Sequence, residues 1–187
     1  MKLDLITNKA ERIGSLNPND EFYTPRYAIT PLLKYLEPQS CILCPFDSKE
    51  SNYVKVLSEN GHHVYKSHIH NGLDFFAIEK DVHCLGIKYI ISNPPYSLKA
   101  EVFKKLFELD IPFAMLVGVV GLFESKTRFE MFRNNDFEIM YFDKRVSYFK
   151  DYNDQTPSLN PPFSSVYITK GILPKQIVFE SINKKEL

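Results

Sequence analysis

The sequence predicts a Rossmann-like α/β domain, with a mostly parallel sheet covered by helices on both faces. Short apolar runs alternate with stretches of helical periodicity, and the run IPFAMLVGVV (111–120) is almost wholly apolar, as a strand buried on both faces must be. Size agrees, since 187 residues suffice for one such domain with a real core.

The elements follow in order. Residues 1–19 read as a polar N-terminal segment and 20–187 as a single domain. From Arg26, the spacing of Tyr27, Ile29, Leu32, Leu33 and Leu36 predicts a helix, bent or restarted at Pro31. CILCPF (41–46) is a short strand ended by Pro45. SNYVKVLSENG (51–61) is a helix capped by Ser51, with Tyr53, Val54 and Leu57 on one face and Asn60-Gly61 ending it. HHVYKSHI (62–69) reads as a second strand, LDFFAI (73–78) as a short third and KYIIS (88–92) as the next. LKAEVFKKLFELD (98–110) is a helix with Val102, Phe103, Leu106 and Phe107 inward. After the buried strand come a helix at SKTRFEMFRNN (125–135) and strands at FEIMYF (137–142) and FSSVYIT (163–169). The last two are expected to close as a C-terminal antiparallel hairpin.

Composition narrows the function classes. With 44% hydrophobic and 25% charged residues the chain is ordinary globular protein, not a disordered one. Lys plus Arg number 23 and Asp plus Glu number 23, which excludes coating nucleic acid through bulk charge but leaves room for a local basic groove. The N-terminal MKLDLITNKAERIG lacks a signal's apolar core, and no run is long enough to span a membrane. Three cysteines make no disulfide framework, so the expected compartment is a reducing cytoplasm.

In open sheets of this kind ligands bind outside the carboxyl ends of the strands. Three unusual segments fall there: CPFDSKES, HIHNGLDFF and SNPPYS. In the last, two prolines fix φ and lack N–H groups, making a stiff turn whose carbonyls are open to a ligand. The Asn93 side-chain oxygen and the Pro94 carbonyl can both accept from one exocyclic amino group, while Tyr96 offers a face to a planar heterocycle. Accepting both amino protons localises the nitrogen lone pair for attack on an activated methyl group. No strong general base is needed.

Asn93-Pro94-Pro95-Tyr96 resembles the (D/N/S)PP(Y/F) hallmark of the S-adenosylmethionine-dependent N6-adenine DNA methyltransferases, which have a class I methyltransferase fold. DEFYTP (20–25), with Tyr23, Thr24 and Pro25, resembles the segment that meets the methionine end of the cofactor. Asp74-Phe75 resembles the pair that holds the cofactor's adenine. FDKRVSYF (142–149) and NPPFSSVYI (160–168) are similar to the closing strand-loop-strand of phage-encoded adenine methylases. The resemblance implies methyl transfer to a flipped adenine in DNA. By their positions Phe149 and Phe163 are expected near the base, and Arg145, between the sheet's active end and Phe149, on a phosphate.

The chain departs from the pattern after the first strand. Where the family has a glycine-rich loop, CPFDSKES has no glycine, and His68 stands where an acidic residue is expected to hold the ribose. The methylase of the EcoRI type also lacks that loop and has a Ser-Asn-aromatic helix start, like Ser51-Asn52-Tyr53. That likeness implies a cofactor held by Pro45, Asp47 and the helix start at Ser51. The alternative is a catalytically inactive phage protein on the same scaffold, binding nucleic acid or a host defence protein. The chain spares little length for reading a target sequence, so a dimer or a partner protein is a further expectation.

Other constellations are weaker. Cys41 and Cys44 lie three apart on one strand and point to opposite faces, so they do not share a metal, and no metal is expected. Gly118-x-x-Gly121 reads as relief of crowding at a strand end.

Overall fold

Proline and backbone pairing set how the chain joins the domain. In the computed structural model, which describes residues 22–67, 74–78, 85–157 and 163–185, Tyr23 forms an antiparallel bridge with Phe149. Pro25 then precedes helix α1 (Arg26–Ile29), which passes at once into a 3-10 helix over Thr30–Tyr35. Pro31 lies in its first turn, where a missing N–H costs nothing, so the expected bend is a change of helix type.

β1 (Cys41–Cys44) leads to α2 (Asn52–Glu59), capped by Ser51, whose side chain accepts from the Tyr53 amide. The buried face of α2 is Asn52, Tyr53, Val56 and Leu57, with Val54 only partly buried. Gly61 follows at φ 84°, a conformation open to glycine. β2 (His63–Lys66), β3 (Tyr89–Ser92), α3 (Lys99–Leu109), β4 (Phe113–Gly118), α4 (Lys126–Arg133), β5 (Glu138–Phe142), β6 (Ser165–Lys170) and β7 (Ile177–Glu180) complete the described elements.

Two expectations are corrected. LDFFAI is not a strand: Phe75–Ala77 is a 3-10 turn, because the Asp74 carboxylate accepts from the Phe76 amide at 2.9 Å and closes the backbone on itself. Consequently NPPY follows the third described strand. The predicted antiparallel pairing of β5 with β6 is present, but the hairpin is not terminal, since β7 adds to β5 in parallel.

Among the described residues the sheet has seven strands in the order β2-β1-β3-β4-β6-β5-β7, and β6 alone runs against the others. Strand alternation divides the core between the two faces. Ile42, Ile91, Leu116 and Tyr167 join Tyr27, Leu32, Tyr53 and Leu57 on one side. Leu43, Ile90, Met115 and Ile168 meet Phe103, Leu106 and Phe132 on the other. Cys41 and Cys44 are divided in the same way.

The chain moves outward from β1 to β2 and then returns across β1 to β3, so the strand order reverses between β1 and β3. This is the crevice where open α/β sheets place ligands. Because β6 is antiparallel, its first residue Ser165 pairs with Gly118 at the end of β4. The exits of β1, β3, β4 and β5 and the start of β6 therefore gather at one edge.

Candidate functional site

At the crevice, the chain leaves β1 through Pro45 and Phe46 to Asp47, which is 7% exposed. Its two carboxylate oxygens are taken by two hydroxyls. Ser51, the cap of α2, donates to Oδ1, and Ser92, the last residue of β3, donates to Oδ2 at 2.5 Å. Ser51 donates its one O–H proton here and accepts from the Tyr53 amide through a lone pair, so one hydroxyl serves cap and carboxylate together. Burial pushes the Asp47 carboxyl up to about 6, against the downward pull of the two hydroxyls. The Pro45 carbonyl is likewise used, accepting from the Ser67 hydroxyl at 3.1 Å. Pro45, Asp47 and Ser51 thus form a buried knot joining both sides of the crevice.

Asn93 comes next along β3's exit. Its amide nitrogen donates to the Phe22 carbonyl at 2.7 Å. A carbonyl only accepts, so this bond fixes which end of the amide faces it. Oδ1 is left buried with no hydrogen-bond partner. The same arrangement recurs two residues along. Asn52 donates from Nδ2 to the Thr24 carbonyl at 3.0 Å and to Gln155 Oε1 at 3.2 Å, and its own Oδ1 is also buried and unpartnered. Carbonyls two residues apart on an extended segment face one way, about 7 Å apart. Phe22 and Thr24 hold the two asparagines in this manner, while Tyr23 between them pairs its N–H and C=O with Phe149. Thr24, 4% exposed, adds a third unpartnered oxygen, Oγ1. Unsatisfied buried polar atoms are rare and costly in folded proteins, and three lie on or are held by the Phe22–Thr24 segment.

Tyr96 opens the 3-10 turn that follows the prolines. Its hydroxyl donates to that of Tyr148 at 3.3 Å, which in turn donates to Ser165 Oγ at 2.8 Å. The Tyr148 hydroxyl, fully buried, has its pKa pushed up to about 12. Phe22 meets the Tyr96 ring edge-on at 4.9 Å, and Phe163 at 5.7 Å with the planes 66° apart. A base held between two parallel rings needs them about 7 Å apart. Phe163 borders Tyr96, then, but does not stand parallel to it.

The remaining sequence-predicted residues are placed as follows. Tyr23 stacks on Tyr152 at 4.1 Å, and Pro25 is buried at the start of α1. Phe75 is 2% exposed and edge-packed against Phe46 at 5.2 Å, on the core side of the turn that Asp74 caps. Phe149 is 1% exposed and serves as a strut behind Tyr23, whereas Arg145 is exposed on the loop after β5. His68 and Asn160–Pro162 lie outside the described residues, as do residues 1–21 and Cys84. Sequence reasoning gave no role to Phe22, Asn52, Ser92 or Tyr148. Each nonetheless lay in or beside a motif: Phe22 in DEFYTP, Tyr148 in FDKRVSYF, Ser92 before NPPY and Asn52 after the Ser51 cap.

No family model matches the chain, and no curated protein matches it. Among solved structures it is similar to substrate-bound BacF from Bacillus subtilis, at 17% identity and a TM-score of 0.37, over 58% of this chain and 39% of that one. The chain therefore spans well under two thirds of the length of that structure.

Proposed function

We propose that the chain is an S-adenosylmethionine-dependent N6-adenine DNA methyltransferase of class I fold. The observation that carries this reading is the Asn93 side chain, gripped through its nitrogen so that Oδ1 stays an unpaired acceptor at the β1–β3 crevice. Asn93 Oδ1 and the Pro94 carbonyl accept the two amino protons of a flipped adenine, and Tyr96 supports the base. Thr24 and Asn52, each with an unpartnered buried oxygen, suit a donor-bearing cofactor, and they would hold it beside α2. When bound, the cofactor supplies an electrophilic methyl group. The chain's own part is to localise the amino lone pair and to exclude water from it. Arg145, exposed on the loop after β5, would take a backbone phosphate.

Tritiated-methyl transfer to adenine-rich single- and double-stranded DNA tests the proposal. Wild type should transfer label, and Asn93→Ala should lose at least about 100-fold in rate, the cost of removing one such acceptor, while binding cofactor within threefold of wild type. Undiminished transfer by the variant would remove Asn93 from the mechanism.

A second reading, a binding protein on the same scaffold, is favoured by the edge-on rings of Phe22 and Phe163 at Tyr96, neither of which stands parallel to it. It predicts no transfer by wild type and complex formation with nucleic acid or a protein partner indifferent to Asn93→Ala.

A further inference from the structure

Among the described residues, β7 lies at one edge of the sheet with β5 as its neighbour. Its backbone is committed on that inner side. The Ile139 amide donates to the Gln176 carbonyl and the Asp143 amide to the Glu180 carbonyl, so along this parallel ladder residues 176, 178 and 180 face β5. The N–H and C=O groups of Ile177 and Phe179 therefore point away from the sheet. Natural edges are blunted with lysine, proline or charge. Pro174 and Lys175 come before the strand, and the one charge within it is Glu180. Alternation puts that side chain on the face of buried Val178, where Lys34 at 2.8 Å and the Tyr35 hydroxyl hold it. The exposed apolar side chains fall on the same two residues whose backbone is open: Phe179 is 75% exposed and Ile177 46%. In register they stand beside half-buried Tyr141 and Ile139 of β5, with the Tyr141 ring stacked on Phe179 at 5.8 Å.

We propose that this edge is a dimer interface, at which β7 pairs antiparallel with β7 of a second copy of the chain. A two-fold axis at Val178 sets Ile177 opposite the partner's Phe179, and Phe179 opposite the partner's Ile177. Both residues carry the outward backbone groups, so each of these pairs exchanges two hydrogen bonds, as narrow antiparallel pairs do. On the exposed face the β5–β7 register then continues through the axis. Tyr141 and Phe179 run on into the partner's Ile177 and Ile139, which makes two apolar ladders related by the axis. Exposed Lys175 falls opposite the partner's Ser181 and gives the ladders a polar margin. Other registers fit worse. Sliding by one residue sets outward backbone groups against groups already bonded to β5. Sliding by two sets Lys175 opposite the partner's Phe179 in one direction, and Val178 opposite the partner's Glu180 in the other. The pairing joins two seven-stranded sheets into one whose halves run oppositely, so the two β1–β3 crevices open at opposite edges and each works alone. Nothing in it depends on the methyltransferase reading.

Sedimentation equilibrium of the full chain from about 1 to 200 µM measures the association, and an edge contact of this kind, at the small end of specific interfaces, should give a micromolar dimer. Ile177→Lys and Phe179→Glu each set a charge against an apolar partner at two symmetry-related pairs, and each should weaken dimerisation at least about tenfold. Both positions are exposed, so the variants should keep the fold. Combined, the two changes bring opposite charges face to face at both pairs. The double variant should return to within about threefold of wild type at low salt and lose that recovery in about 0.5 M salt. In either register displaced by two residues the same double variant would set like charges opposite each other at the axis. A double variant no stronger than the single ones therefore overturns the pairing. So does a wild-type chain that stays monomeric throughout the range, or a dimer that neither single change weakens.

Discussion

Gly118 ends β4 without a side chain, and Phe163 uses the space: a Cβ there would lie 2.7 Å from the Phe163 ring. Phe163 in turn borders Tyr96, so one missing methyl group sets where the aromatic wall of the crevice stands. Gly118→Ala should force the ring aside and cost about 1–3 kcal/mol, the range for overpacking. In a Phe163→Ala background the same change should cost less than about 0.5 kcal/mol, because the clash is gone. Urea denaturation of the two single variants and the double variant measures the coupling; additive losses would mean that the ring yields freely. The sequence reading of the 118–121 glycine pair as relief of crowding holds at Gly118, with Phe163 as the crowding group, but not at Gly121, which is uncrowded and sits at φ 69°. Asn93 was legible because two prolines after a strand have few uses. Its grip on Phe22 was not, since the partners lie 71 residues apart and nothing local in either segment pairs them.

At the scale of elements, α2 shows how a cap and a site share atoms. Ser51 satisfies the Tyr53 amide and one oxygen of Asp47, so Ser51→Ala removes both bonds. A lost cap costs about 1 kcal/mol, and a buried carboxylate deprived of a donor about 1.5–3 kcal/mol. The expected total is about 2–4 kcal/mol, well above an ordinary cap. Thermal unfolding of Ser51→Ala against Ser51→Thr, which keeps the hydroxyl, separates the two bonds from mere shape; equal losses in both variants would contradict the shared role. The helix and its cap were plain in SNYVKVLSENG, as were strands β1, β3 and β4, because apolar runs and stop signals are local. LDFFAI misled for a local reason as well. Its apolar content suits a strand, yet Asp74 at its head closes a turn within two residues. β7 went unseen because IVFE is a four-residue edge strand with Ile177 and Phe179 exposed, and its pairing with β5 is set by the sheet rather than by its own pattern.

For the whole molecule, the buried charge at the crevice makes stability depend on pH in an unusual direction. Most native carboxylates have lowered pKa values, and acid destabilises the fold through them. Asp47 is raised from 3.8 to about 6 by burial, so the folded state holds its proton more tightly than the unfolded one. Its contribution is therefore greatest at low pH and is lost as pH rises through about 6. His62 acts in the opposite sense over a neighbouring range. Burial lowers its pKa, so the unfolded chain takes the proton first and acidification through the imidazole range costs stability. The net profile mixes both groups, but the difference between wild type and Asp47→Asn cancels His62. Between pH 7.5 and pH 5, wild type should gain about 1.4 kcal/mol relative to the variant, one pKa unit's worth of linkage. Urea midpoints across that range, converted with a common slope, give the difference directly. A flat difference would mean that Asp47 is ionised throughout, with a cation or water supplying what its two serine hydroxyls do not.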